Sequence, residues 1–104
     1  MQSLSKLTLM YMVVSHWRPL PDKQAEFIEI GKKARAAMRD IAGIEIIEAF
    51  WSGDEIVVIH GYTDFDAYNR LVTAEDGEVA RQMADFGIEA AGEWLGSEKG
   101  ETID

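Results

Sequence analysis

The spacing of hydrophobic positions predicts a strand and then a helix in the first part of the chain. Residues 7–17, LTLMYMVVSHW, are mostly large apolar types and stop at RPLPD, which is typical of a strand covered on both faces. From Pro21 onward the apolar positions recur three and four residues apart, which predicts a helix of about twenty residues. Gly43 is a suitable residue to end this helix. Its apolar side consists of Phe27, Gly31, Ala34, Met38 and Ile41.

The next pattern predicts a β-hairpin. Two strands, about 44–52 and 55–63, flank Gly53-Asp54, and glycine in the first position of a two-residue loop is typical of a type II′ turn. The turn fixes the register of the strands, although a bulge near Ile46-Ile47 would shift its far end. The expected cross-strand pairs are Trp51–Ile56, Ala49–Val58, Ile47–His60 and Glu45–Tyr62.

A second helical region leads into a polar tail. Asp64 is a suitable N-cap for a helix that begins near Phe65. TAEDGE interrupts the helical pattern, which resumes over 78–94. The apolar side of this later segment consists of Val79, Met83, Phe86, Ala90 and Trp94. The tail 96–104, GSEKGETID, is either frayed or contributes a short last strand.

These elements predict one domain over residues 1–104, with a core of about 7–95 and a polar tail over 96–104. The order β-α-β-β-α, with or without a final strand, is that of the ferredoxin-like split βαβ fold. The expected fold class is therefore α+β, with helices on one face of an antiparallel sheet.

Alternation along the strands divides the sheet into two faces. One face carries aromatic and polar side chains, and the other is smoothly aliphatic. Because helices favour aliphatic cover, we expect the aromatic face to point away from them. Such a face is too apolar for water, so it predicts a homodimer that closes over it, around either a ligand cavity or a solid core. The aromatic face carries Tyr11, Val13, Ser15, Trp17, Trp51, Val58, His60 and Tyr62.

Composition excludes several function classes. The net charge is −9, with a basic excess only in residues 1–39, so we expect no nucleic-acid partner. The chain has no cysteine, which excludes thiolate chemistry and favours a cytoplasmic setting. The first apolar run is too short to span a bilayer, so no membrane partner is expected. Without a phosphate-binding glycine loop or metal-ligand spacing, we expect no cofactor and no metal.

The element order and the run EIVVIHGYTDFDAYNRL, residues 55–71, resemble the dimeric α/β-barrel proteins and, among them, the antibiotic-biosynthesis monooxygenase family. The resemblance covers about residues 7–95. Family members typically end the third strand with an acidic residue, an apolar residue and a Trp, where this chain has His60, Gly61 and Tyr62. Family enzymes also use an asparagine near the cavity, and Asn69 is the only one in this helical region. Haem-degrading members carry a histidine there, and its absence disfavours haem degradation.

The resemblance implies a cofactor-independent monooxygenase that acts on a small aromatic or quinol-type compound inside the barrel. This chemistry needs a base, a donor to the developing oxyanion and a dry wall. His60 is the candidate base, and Tyr11 or Tyr62 is the candidate donor. Glu45 is the candidate group that orients the imidazole. The remaining predicted pocket residues are Trp17 and Trp51, which would stack on a ring, with Val13, Ser15, Val58 and Asn69.

Two other hypotheses fit the same residues. A hydrogen-bonded strand histidine and buried rings are ordinary structural features, so a non-catalytic homodimer that binds a small apolar ligand, or acts as a structural or stress-response module, is the main alternative. A different barrel enzyme, such as an isomerase, is the third hypothesis. His16 is expected to be exposed, and it points to the opposite face from Ser15, so these neighbours cannot form a nucleophile–base pair.

Overall fold

The computed structural model describes residues 9–104, which form one four-stranded antiparallel sheet with helices on one face. The strand order is β2-β3-β1-β4. This arrangement confirms the predicted α+β, ferredoxin-like fold. Residues 7 and 8 of the predicted first strand lie outside the described residues. The strands are β1 (Tyr11–Pro19), β2 (Ile44–Ser52), β3 (Glu55–Tyr62) and β4 (Gly92–Glu101).

The helices are shorter and more broken than the pattern predicted. Helix α1 spans Gln24–Arg39, α2 spans Phe65–Tyr68 and α3 spans Glu78–Phe86. A π-helical turn, Asn69–Thr73, extends α2, and a 3₁₀ turn, Ile88–Ala90, precedes β4. Asp64 caps α2 as predicted, its side chain accepting a hydrogen bond from the Ala67 backbone at 2.8 Å. None of the helices within residues 9–104 is long and apolar enough to cross a membrane.

The hairpin follows the predicted register over most of its length. Gly53 has φ +66°, as the first position of the predicted turn requires. The pairs Trp51–Ile56, Ala49–Val58 and Ile47–His60 all form. A bulge between Ile44 and Ile46 leaves Glu45 as the extra residue, so Tyr62 pairs with Ile44 and the predicted Glu45–Tyr62 pair is wrong.

The predicted helix over 78–94 is too long, because α3 ends at Phe86 and β4 starts at Gly92. Gly87 stops the helix in the left-handed region, with φ +67°. Gly92 lies directly against the Phe27 ring, which a Cβ at this position would overlap. Trp94 therefore lies on a strand. Residues 96–101 of the polar tail pair with β1, which settles the open question of a last strand.

The two sheet faces are reversed relative to the prediction. The helices cover the aromatic face, where Val13, Ile47 and Tyr62 are buried in the core with side chains of α1, the π-helical turn and α3. The physical reason lies in α1, whose buried side includes Gly31 and Ala34 and so leaves room for rings and for a cavity. The aliphatic face, which we call the open face, carries no helix within residues 9–104; its apolar part is Met12, Val14, Ile46, Phe50, Val57 and Ile59.

Candidate functional site

An apolar cavity of about 160 Å³ lies between the sheet and helices α1 and α3. We call it the chamber. Apolar cavities of about 150 Å³ hold a benzene-sized molecule in other proteins, so the chamber suits a single aromatic ring. Its apolar walls include Trp17 and Val58 from the sheet, Ala34 and Met38 from α1, and Val79 and Met83 from α3. Its polar wall groups are Ser15, Arg35, His60 and Tyr62.

His60 is the central polar group of the chamber. It lies mid-strand in β3, and its Nδ1 is 2.7 Å from the Tyr62 Oη while its Nε2 is 3.4 Å from the Ser15 Oγ. Burial lowers the pKa of His60 to about 4. The imidazole is therefore neutral at pH 7, with one nitrogen that donates a hydrogen bond and one that accepts.

The hydrogen bonds of Tyr62 favour one tautomer of His60. Tyr62 is 0% exposed, and its burial and the nearby Tyr68 raise the pKa of its hydroxyl well above the usual range, so the hydroxyl keeps its proton. Within residues 9–104 the His60 Nδ1 is the only acceptor that this hydroxyl meets. Tyr62 therefore donates to Nδ1, and Nε2 carries the proton and donates toward Ser15. His60 is thus a hydrogen-bond donor on its Nε2 side.

Two residues of β4 extend this network to the surface. The Ser97 Oγ lies 2.8 Å from the Ser15 Oγ and accepts a hydrogen bond from the Trp94 Nε1 at 3.1 Å. Trp94 is 58% exposed, so the network connects the buried Tyr62 hydroxyl with solvent. Sequence reasoning missed both residues because it placed Trp94 on a helix and Ser97 in a tail. Recognition of β4 would have put Ser97 opposite Ser15 on the same face.

Three predicted site residues line the chamber with His60 and Tyr62: Ser15, Trp17 and Val58. Tyr11 and Val13 lie in the adjoining packed core instead. The Tyr11 ring centroid is 4.7 Å from that of Tyr68, and Val13 is 3% exposed. Tyr11 is therefore placed to pack rather than to donate to a molecule in the chamber.

The other three predicted residues lie outside the chamber. Glu45, displaced by the bulge, accepts a hydrogen bond from the Thr63 Oγ1 at 2.9 Å and so does not orient His60. The exposed Asn69 amide oxygen accepts a hydrogen bond from the Thr73 hydroxyl on the π-helical turn. Trp51 is 46% exposed at the far end of β2.

Trp51 lines a second, outer cleft of about 470 Å³ beside the loop after β1. The cationic group of this cleft already has partners, since the Arg18 Nε is 3.3 Å from the Asp54 Oδ2 and its Nη2 is 3.7 Å from the Glu55 Oε2. The smaller chamber, with its more apolar lining, is therefore the better candidate site. Among residues 9–104, no group of three or more His, Asp or Glu side chains is placed to hold a metal ion.

Comparison with known proteins gives structural matches over almost the whole chain. The sequence matches no protein-family model and no curated protein. A conserved Bacteroides thetaiotaomicron protein of unknown function, described as a possible oxidoreductase, superposes with a TM-score of 0.73 at 16% identity, covering 92% of this chain and 100% of that one.

Two other solved structures superpose over most of the chain. A Chloroflexus aurantiacus protein assigned to the antibiotic biosynthesis monooxygenases superposes with a TM-score of 0.66 at 12% identity, covering 91% of this chain and 94% of that one. SnoaB from Streptomyces nogalater, a cofactor-independent oxygenase, superposes with a TM-score of 0.66 at 17% identity, covering 91% and 92% of the two chains. The chain therefore shares the ferredoxin-like α+β fold of these solved structures.

Proposed function

We propose that this protein is a cofactor-independent monooxygenase that acts on a small phenol or quinol-type compound in the chamber. The observation that carries the proposal is the pairing of a largely apolar, ring-sized cavity with a single polar cluster, His60, Tyr62 and Ser15. Apolar walls with a few convergent polar groups are the usual composition of a small-molecule site. The similarity of the fold to SnoaB, itself a cofactor-independent oxygenase, supports the reaction class.

The proposed reaction needs no external reductant. A phenol with a free para position and one O₂ give the para-quinone and one water, so the ring supplies all four electrons that reduce O₂. The substrate hydroxyl first loses its proton to solvent through the Ser15 and Ser97 hydroxyls, and the resulting phenolate carbon forms a bond to O₂. Loss of the ring proton and cleavage of the O–O bond then leave the second oxygen as water. The apolar walls exclude bulk water from this sequence.

In this scheme His60 stabilises the phenolate. Its Nε2–H points toward Ser15 and is placed to donate to the substrate oxygen, while Tyr62 holds the imidazole in this tautomer through Nδ1. With a pKa of about 4, His60 is a weak base, so a donor role fits its environment better than the predicted role of general base. Trp17 supplies an aromatic wall for the substrate ring.

We further propose that the protein works as a homodimer that buries the open face. Proteins of this fold are typically dimeric. The open face exposes apolar side chains, with Phe50 at 50% exposure, and a second copy would cover them. This assembly differs from the predicted one, because the aromatic face is occupied by the chain's own helices.

Oxygen uptake in the presence of simple phenols tests the proposal. We expect uptake with quinone formation, and one atom of labelled O₂ in each quinone. His60→Leu is expected to abolish turnover, whereas His60→Gln keeps a donor and is expected to retain part of it. Lys33→Gln, on the exposed side of α1, serves as the control and is expected to leave turnover unchanged. Equal and complete loss in both His60 variants would instead identify a general base.

The alternative is a non-catalytic protein that binds a small aromatic ligand in the same chamber. The mutual hydrogen bonds of Ser15, His60 and Tyr62 favour this alternative, because the cluster is satisfied without a substrate. Calorimetric binding of phenols with no oxygen uptake from any of them would establish it.

A further inference from the structure

Arg35 is the only charged side chain on the chamber wall within residues 9–104. It lies on α1, is half-buried, and lines both the chamber and an adjoining groove that reaches Phe50 and Trp51. A guanidinium group carries five N–H donors and stays charged in proteins. Charged groups withdrawn from water are normally paired, so the partners of Arg35 need to be accounted for.

No partner for Arg35 is present in the described part of the chain. None of residues 9–104 forms an ion pair or a side-chain hydrogen bond with its guanidinium. The nearest acidic influence is Glu48, and this carboxylate lies 3.9 Å from the Arg39 Nη2 instead. Burial and the like charge of Arg39 both lower the pKa of Arg35. Within residues 9–104 the chamber wall therefore carries an unpaired cationic group, although the whole chain carries −9.

Gly31 leaves space for the Arg35 side chain. Glycine inside a helix costs about 0.5–1 kcal/mol relative to alanine, so its presence in the middle of α1 needs a reason. A Cβ built on Gly31 would lie 2.9 Å from the Arg35 Nη1, too close for an ordinary contact. The missing side chain thus provides the space in which the guanidinium lies, one helical turn away.

From this geometry we infer that the chamber selects aromatic ligands that carry an anionic substituent, such as a carboxylate, which pairs with Arg35. The ring hydroxyl of the ligand then lies at the His60–Ser15 cluster, and the apolar walls hold the ring. This inference deepens the proposed function and rests on the same chamber. Arginine pairs with carboxylates through two parallel N–H···O bonds, which gives orientation as well as affinity.

Calorimetric titration at pH 7 with the hydroxybenzoates and their uncharged amides tests this inference. The amides keep the ring and hydroxyl and remove only the charge. We expect at least one hydroxybenzoate to bind about tenfold or more tightly than its amide, as a charge-assisted pair contributes. Arg35→Gln is expected to bring the ratio near one. Lys33→Gln removes the same charge from the exposed side of α1 and is expected to preserve the ratio.

A second variant separates position from charge. Gly31→Ala keeps Arg35 but displaces its guanidinium, so the preference for the acid is expected to fall while the helix remains folded. If acid and amide bind the natural protein with equal affinity, the inference is overturned. It is also overturned if Lys33→Gln loses the preference for the acid as fully as Arg35→Gln does. If phenol and the amides bind and the acids bind no more tightly than the amides, the anion preference is refuted while the chamber remains a binding site. If none of these ligands binds, the chamber itself fails as a site, and the proposed function fails with it.

Discussion

The two faces of the sheet place the chain's two histidines in opposite environments. On the helix-covered face, burial lowers the pKa of His60 to about 4, and its ring nitrogens meet hydroxyl groups. On the open face, the His16 Nε2 lies 3.0 Å from the Glu98 Oε1 and its Nδ1 lies 3.4 Å from the Glu55 Oε1. The hydrogen bond to Glu98 is the main cause that raises the pKa of His16.

The contrast shows that the apolar content of a face does not decide what covers it. The aromatic face is the drier interior because helices with small residues lie over it, and charge is disfavoured there. The aliphatic face carries histidine–carboxylate pairs between its neighbouring strands and so stays compatible with water or with a second copy of the chain.

Neighbouring isoleucines in β2 give the largest expected difference between the faces. Ile47 is 4% exposed beneath the helices, whereas Ile46 lies half-buried on the open face beside Gly61. Ile47→Ala is expected to lower the free energy of unfolding by about 3 kcal/mol, because it leaves a cavity in a closed core. Ile46→Ala is expected to cost about 1 kcal/mol in dilute solution. Urea unfolding at one low protein concentration measures both, and equal losses would contradict the difference in cover.

Acid titration of stability compares the two histidines directly. The pKa of His60 falls from 6.5 in the unfolded chain to about 4 in the fold, so the unfolded state binds more protons between these values. Stability from neutral His60 is fully present above pH 6.5 and is lost as pH falls toward 4, by up to about 3 kcal/mol.

His60→Gln is the reference protein for this titration, because carboxylates titrate in both proteins and cancel in the difference. The His16→Gln variant retains His60, so we expect its free energy of unfolding to fall with pH as that of the natural protein does. Protonated His16 contributes to stability with the opposite pH dependence. Because the fold raises the pKa of His16, this contribution is present below pH 6.5 and is lost as the pH rises through the pKa of the folded state. Chemical unfolding at pH 7 and pH 4.5 measures the effect, and parallel curves for the natural protein and His60→Gln would show that His60 is not withdrawn from water.

The elements that the sequence predicts well depend on short-range patterns. The hairpin register follows from Gly53 and alternation on either side, and α1 follows from its three- and four-residue spacing. The fold class then follows from element order. The edge strand β4 was left open because GEWLGSEKGE has little strand character of its own, and its place depends on distant pairing with β1.

The choice of face depends on packing that alternation does not encode. Alternation shows which side chains lie together but not on which side the helices land. Here that choice depends on small residues at contact points, Gly31 and Ala34 in α1 and Gly92 under Phe27. Alternation therefore grouped His60 with the side chains of its own face but did not show which face the helices cover; Tyr62 and Ser15 were not assigned as its partners, and Ser97 was missed.

A charge on the open face tests the proposed dimer. Val14 lies in the central strand β1, between Ile59 and Glu98 of the neighbouring strands. Val14→Lys places an ammonium group at the centre of the proposed interface. The dissociation constant of the dimer is therefore expected to be at least about tenfold higher than that of the natural dimer. Ser52→Lys adds the same charge at the exposed end of β2 and is the control. Sedimentation equilibrium measures both, and a natural protein that remains monomeric at micromolar concentration would refute the dimer.

Removal of the Tyr62 hydroxyl has the smallest expected effect on stability, and it directly tests the hydrogen bond between Tyr62 and His60. Tyr62→Phe leaves the His60 Nδ1 without its donor, so we expect a loss of about 1 kcal/mol in unfolding free energy. Tyr11→Phe is the control, because the Tyr11 hydroxyl has no hydrogen bond within residues 9–104 and this ring only packs.

Nitrogen NMR of the imidazole is expected to show the proton on Nε2 in the natural protein and a higher His60 pKa in Tyr62→Phe, since the lost bond favoured the neutral ring. A proton on Nδ1 in the natural protein would reverse the direction of the network and make Nε2 an acceptor, which restores His60 as a general base.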